Sequence, residues 1–130
     1  MVFSETLNAF ETALKRLSDV LEQPESTITR DAAIKRFEFT FDLLWKSLQR
    51  FFRIQGITCN SPKGCLKEAF SFGLIEDNPL WVRMIDDRNL TVHTYNEAVA
   101  IEIYQHLKNY MPLFNRMLQS LKNQTDSSNL

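Results

Sequence analysis

Glycine and proline are scarce: the 130 residues include only 3 Gly and 4 Pro. An all-β domain needs a turn about every 8–12 residues, so this scarcity argues against strands and for a few long helices. Cysteine is scarce too, with 2 residues, Cys59 and Cys65. They have too few companions for a zinc-type site, and their spacing is not C-x-x-C. A disulfide between them is open on paper. With nothing resembling a signal peptide, reduced thiols in a cytoplasmic protein are the expectation. No apolar run approaches the roughly 18 residues of a membrane span. An excess of charge of either sign is also missing, with 15 Lys plus Arg against 16 Asp plus Glu and a net charge of −1. That balance excludes a globally basic nucleic-acid binder and leaves room for a local phosphate site.

What is present is apolar and aromatic. Hydrophobic residues make up 44% of the chain and Phe alone contributes 10, enough for one domain with a real core. Apolar residues recur at helical spacing in five segments. The first runs from about Ser4 to Glu22, capped by Ser4 and stopped by Pro24. The second runs from about Thr29 to Gly56, with Thr29 as its cap and a stripe from Ala33 through Phe37, Phe41, Leu44 and Leu48 to Phe52. Ser61-Pro62 opens a short third helix that Gly73 ends, and Asn78-Pro79 opens a fourth. Thr94-x-x-Glu97 reads as a capping box for the fifth, inside which Pro112 predicts a kink near Lys108. The expected architecture is all-α, an antiparallel up-down four-helix bundle with an extra short helix. Residues 1–122 form a single domain in this reading, and 123–130 a flexible C-terminal tail.

Chemistry concentrates in Asp86-Asp87-Arg88-Asn89-Leu90-Thr91-Val92-His93-Thr94-Tyr95. Were the helix to continue straight through, Arg88 and His93 would lie about 140° apart around its axis and would not meet. The capping box at Thr94 predicts instead a turn that leaves His93 beside the positive N-terminal end of the last helix, where anions are favoured. An arginine fork can clamp phosphate, and a histidine can move protons near neutrality. Together they suit phosphodiester cleavage by the ribose 2′-hydroxyl without a metal or other cofactor. The plainer reading of such a cluster is a solvated connection tied by a salt bridge. Lys46, Arg50 and Arg53 form a basic stripe that could guide RNA phosphates or face an acidic partner, though a solvated helix face is its plainer reading. His106 has Glu102 four residues before it, an ordinary surface pair.

Arg88-Asn89-x-x-x-His93-x-Tyr95 resembles the R-x4-H-x-Y signature of HepT-like toxins in the HEPN superfamily. More closely, the chain is similar to the nucleotidyltransferase substrate-binding proteins, a branch of that superfamily, over nearly all of residues 3–122. The likeness includes Phe-Glu-Phe-Thr-Phe-Asp-Leu-Leu-Trp-Lys at 37–46 and Pro-Lys-Gly-Cys-Leu-Lys-Glu-Ala-Phe at 62–70. It continues through Gly73-Leu74-Ile75 and the Asp86–Asn89 run. The resemblance implies a homodimeric bundle encoded beside a small nucleotidyltransferase in a toxin–antitoxin-like pair. It implies a metal-independent ribonuclease cleft across the dimer, with Arg88 on phosphate, His93 in proton transfer and Asn89 at the adjoining polar position. Tyr95 matches the tyrosine that the partner transferase modifies with AMP in HepT-like systems. The competing implication is a non-catalytic subunit that presents nucleotide or another substrate to the transferase. A third reading is a structural dimer in which Arg88 and His93 only tie helices together.

Overall fold

A computed structural model describes residues 2–93 and 96–128. Five helices account for most of them: α1 (Phe3–Leu21), α2 (Thr27–Ile54), α3 (Pro62–Phe72), α4 (Leu80–His93) and α5 (Glu97–Ser128). No strand occurs among the described residues. α1 and α2 are joined by a short connection, as are α4 and α5, while the longer link from α2 to α4 carries the 11-residue α3. The result is the all-α bundle with an added short helix that the apolar periodicity predicts.

Local chemistry explains the helix ends. Ser61 caps α3 by accepting a hydrogen bond from the Gly64 amide at 3.0 Å, Pro62 occupies the first turn, and Gly73 closes the helix in the left-handed region at φ 89°. That conformation strains any residue with a Cβ, which is why glycine ends the helix there. At the start of α2 the cap is Ser26 and not Thr29. The two share a capping box in which each side chain accepts from the other's backbone amide, so Thr29 supplies the inner half of the motif. α1 begins one residue before Ser4, with Val2 at the cap position and no side-chain cap. α5 begins at Glu97, with the Asn96 side chain accepting from the Val99 amide at 2.9 Å. This displaces the start expected after Thr94, because the asparagine caps the helix further along the chain. Thr94 and Tyr95 lie outside the described residues. α5 continues through Pro112, whose ring leaves the Lys108 carbonyl without its usual amide donor.

The cysteines depart from expectation. Cys59 and Cys65 form a disulfide, with their Cα atoms 5.1 Å apart. The Ser61-Pro62 start folds the first turn of α3 back over Cys59, bringing the pair into bridging range. Both cysteines are buried, and Gln49 on α2 donates to the Cys59 carbonyl at 3.0 Å. The expectation of reduced thiols rests on compartment alone and gives no weight to this local geometry.

Aromatic rings fill the core. Phe10 of α1, Phe37 of α2 and Phe114 and Tyr110 of α5 interlock, with Phe37 stacked on Tyr110 at 5.8 Å and edge-on to Phe114 at 6.3 Å. Phe51 and Phe52 meet Phe72 of α3 at 5.4 and 5.7 Å. Each buried ring removes roughly 150–250 Å² from contact with water, so the two clusters fix how α2 sits against α1, α3 and α5. The α2 stripe is core: Phe37, Phe41 and Phe52 are fully buried.

Candidate functional site

α4 carries the polar cluster. It is helical through His93, its last residue, so the turn expected before the final helix does not release His93. The hydroxyl of Thr91 donates to the Arg88 carbonyl at 2.7 Å, within the final turn. Five residues of unbroken helix place Arg88 and His93 about 140° apart around α4. The helix of one chain therefore turns them to different sides, and His93 ends α4 four residues before α5 begins at Glu97. His93 and Asn89 are both exposed.

Arg88 reaches across to α2. Its terminal nitrogen donates to both carboxylate oxygens of Asp42, at 3.0 and 3.3 Å. The two side chains are 28% and 30% exposed, so water still reaches this pair and screens it. The Arg88 Nε is buried with no hydrogen-bond partner among the described residues. Asp42 thus orients the guanidinium without satisfying it. It lies 46 residues from Arg88 in sequence, and nothing in the local pattern marks it as the partner.

The neighbouring Asp87 points the other way, into the α4–α5 seam, where it is 4% exposed. Tyr110 donates its hydroxyl to Asp87 Oδ2. His106 Nδ1 lies 2.8 Å from the same oxygen, and Arg83 Nε donates to the Tyr110 hydroxyl at 3.0 Å. Burial first, then the bond to Asp87, pushes the Tyr110 phenol well above its ordinary range, so it remains a proton donor. His106 is therefore not the surface partner of Glu102. Its ring is held by a carboxylate on the facing helix, and this network sets the rotation of α4 that aims Arg88 at Asp42. Sequence reasoning misses His106 and Tyr110 as polar partners because their periodicity reads as helix face and core. The signal that could have found them is two hydrogen-bonding rings at i and i+4 on a helix facing paired aspartates.

The solvent side of α4 carries three exposed apolar side chains beside Asp86, Asn89 and His93. Val82 is 61%, Leu90 40% and Val92 51% exposed. Asn89 and His93 lie among these side chains on the same helix. Among the described residues, no three His, Cys, Asp or Glu side chains cluster closely enough to hold a metal ion. None of the described helices is long and apolar enough to cross a membrane.

Comparison with known proteins gives these likenesses for the chain. Residues 5–123 match a family model described as "Nucleotidyltransferase substrate binding protein like". A Haemophilus influenzae protein named "Probable ribonuclease HepT" is 34% identical over 95 residues, which is 69% of this chain and 65% of the relative. The chain thus spans less than two thirds of that relative's length. A crystal structure of a Thermus thermophilus protein superposes with a TM-score of 0.80 at 42% identity, covering 86% of this chain and 98% of the other. A second structure, from Haemophilus influenzae, is described as revealing the fold of a substrate-binding domain of a nucleotidyltransferase. It superposes with a TM-score of 0.75 at 27% identity over 89% of this chain and 98% of the other. By a family match that spans nearly its whole length, this chain belongs to the nucleotidyltransferase substrate-binding protein family.

Proposed function

We propose that the protein is a HEPN-type ribonuclease partner of a small nucleotidyltransferase encoded nearby, working as a homodimer in a toxin–antitoxin-like pair. One observation carries the reading: Arg88 and His93 sit on one helix at angles that keep them apart, beside exposed Val82, Leu90 and Val92. Pairing two copies through α4 buries that apolar face. It also brings Arg88 of each copy toward His93 of its partner. The name of the Haemophilus influenzae relative supports a ribonuclease.

Mechanism follows from the side chains. Arg88, pre-oriented by Asp42, clamps the scissile phosphate through its fork, and Asn89 contacts the same group. His93 takes the ribose 2′-hydroxyl proton as that oxygen attacks phosphorus. The P–O5′ bond breaks, and the leaving oxygen takes a proton from an acid in the same cleft. The products are a 2′,3′-cyclic phosphate and a 5′-hydroxyl, and no step requires a metal. Wild type incubated with RNA in EDTA gives cyclic ends. Absence of those ends, or their persistence in His93→Ala, removes the assignment.

Tyr95 is the proposed AMP acceptor of the partner transferase. The added phosphate brings negative charge two residues along the chain from His93, which would repel RNA. Mass spectrometry after incubation with that transferase and ATP is expected to show one AMP on Tyr95. An unmodified Tyr95 with an active transferase counts against the switch.

A second reading, a non-catalytic subunit that presents nucleotide to the transferase, is favoured by one feature. The Asp42 carboxylate already offsets the Arg88 charge, which suits holding a substrate better than polarising it. In that case nucleotide binding survives in His93→Ala and no RNA is cut by either protein.

A further inference from the structure

The outer face of α2 is chemically one-sided. Taking Phe39 as the reference and about 100° per residue, the positions within roughly 60° of it include Lys35, Arg36, Lys46, Arg50 and Arg53, with Asp42 the one carboxylate, at the margin. The helix's acids Asp31, Glu38 and Asp42 fall together along that one flank. Phe39 stands in the midst of the cations, 54% exposed, with the Lys35 ammonium 5.3 Å from its ring centre. Between α2 and α1 the face opens into a groove of about 730 Å³, floored by Ala9, Ala13 and Leu43 and edged by Arg16 and Arg36. Neither Arg16 nor Arg36 has an ion-pair partner among the described residues. Asp42 borders this face one turn from both Phe39 and Lys46, and it is Asp42 that holds Arg88.

From this juxtaposition we infer that the outer face of α2 is a track for single-stranded RNA that delivers the strand to Arg88. Cations aligned on one helix face supply contacts to successive phosphates, and an exposed aromatic in their midst gives an unpaired base a stacking surface. A duplex buries its bases and cannot use Phe39, which makes the track selective for single strands. The net charge of −1 is no obstacle, because the acids are sorted to one flank, where Glu38 lies 3.8 Å from the largely exposed Lys35 ammonium. The inference rests on the ribonuclease reading for what happens at the end of the track, while the track itself is a matter of binding.

Binding is therefore the measurement. Fluorescence anisotropy with a labelled single-stranded RNA of about 12 nucleotides, within the span of one binding site, on the full chain carrying His93→Ala, separates capture from cleavage. Charge reversal at Lys35→Glu with Lys46→Glu is expected to weaken binding at least ~10-fold and to flatten the dependence of log affinity on log salt by about 1.4, from two lost phosphate contacts on a single strand. Phe39→Ala, an exposed position that leaves the core intact, is expected to weaken single-strand binding about 5-fold or more and to leave duplex binding unchanged. Wild-type affinity in both variants overturns the track. So does equal displacement of RNA by polyglutamate, which would make the face a dock for an acidic protein. If both variants lose RNA affinity while wild type fails to cleave, the track stands and the ribonuclease reading falls.

Discussion

Asp87→Ala is expected to destabilise the protein by about 3–5 kcal/mol, while Asp86→Ala one position earlier changes stability by less than about 0.5 kcal/mol. The two residues are chemically identical neighbours in one motif, but α4 turns Asp87 into the seam with α5 and Asp86 out to solvent. Removing the Asp87 carboxylate strips the acceptor from the Tyr110 hydroxyl and from His106 Nδ1 together. It also leaves Arg83, which already has a buried nitrogen without a hydrogen-bond partner, facing no countercharge through Tyr110. A buried donor stripped of its partner costs about 1–3 kcal/mol, and here the buried Tyr110 hydroxyl and the partly exposed His106 ring lose the same acceptor. Asp87→Asn keeps an acceptor and should fall between. Urea unfolding monitored by circular dichroism reads the difference as a large midpoint shift for Asp87→Ala and almost none for Asp86→Ala. Equal shifts would mean that the network does not hold α4 against α5.

The second large effect is on chemistry and leaves folding untouched. His93→Ala is expected to lower RNA cleavage about 10²–10⁴-fold, the usual contribution of a positioned acid or base. Because His93 is exposed at the end of α4, the urea midpoint of this variant should match wild type. Arg88→Ala should also lose cleavage, by about 10²–10³-fold, as a phosphate-stabilising donor is removed. Breaking its solvent-reached pair with Asp42 costs no more than about 1 kcal/mol of stability. Arg88→Lys keeps the charge but not the fork, so it should recover only part of the rate. A cleavage loss that tracks the unfolding midpoint across these variants would reassign both residues to structure.

Much of the fold is legible in the sequence because its signals are local. Ser61-Pro62 and Gly73 bracket α3 within a single stretch of chain, and the stripe from Ala33 to Phe52 declares the buried face of α2 by spacing alone. Where local signals compete, the reading slips. Thr94-x-x-Glu97 fits the capping pattern, yet the Asn96 side chain accepts from the Val99 amide and α5 starts right after it. That shift allows α4 to run through His93 and separates it from Arg88 on the helix surface. The candidate site is legible only in part, because its partners are distant. Asp42 comes from α2 to orient Arg88, and His106 from α5 to bind Asp87. No periodicity reports which residue a side chain meets across a bundle. The disulfide is the opposite case, in which a compartment argument outweighs a purely local geometry.

Mixing inactive variants tests directly whether the site is assembled from two copies. Arg88→Ala and His93→Ala, each inert alone, are mixed, unfolded and refolded together, then assayed with RNA in EDTA. A cleft built across the dimer leaves one intact Arg88–His93 combination in every mixed dimer, so cleavage should return to a substantial fraction of the wild-type rate. A mixture as inert as either variant alone, beside an active wild type, would contradict the shared site.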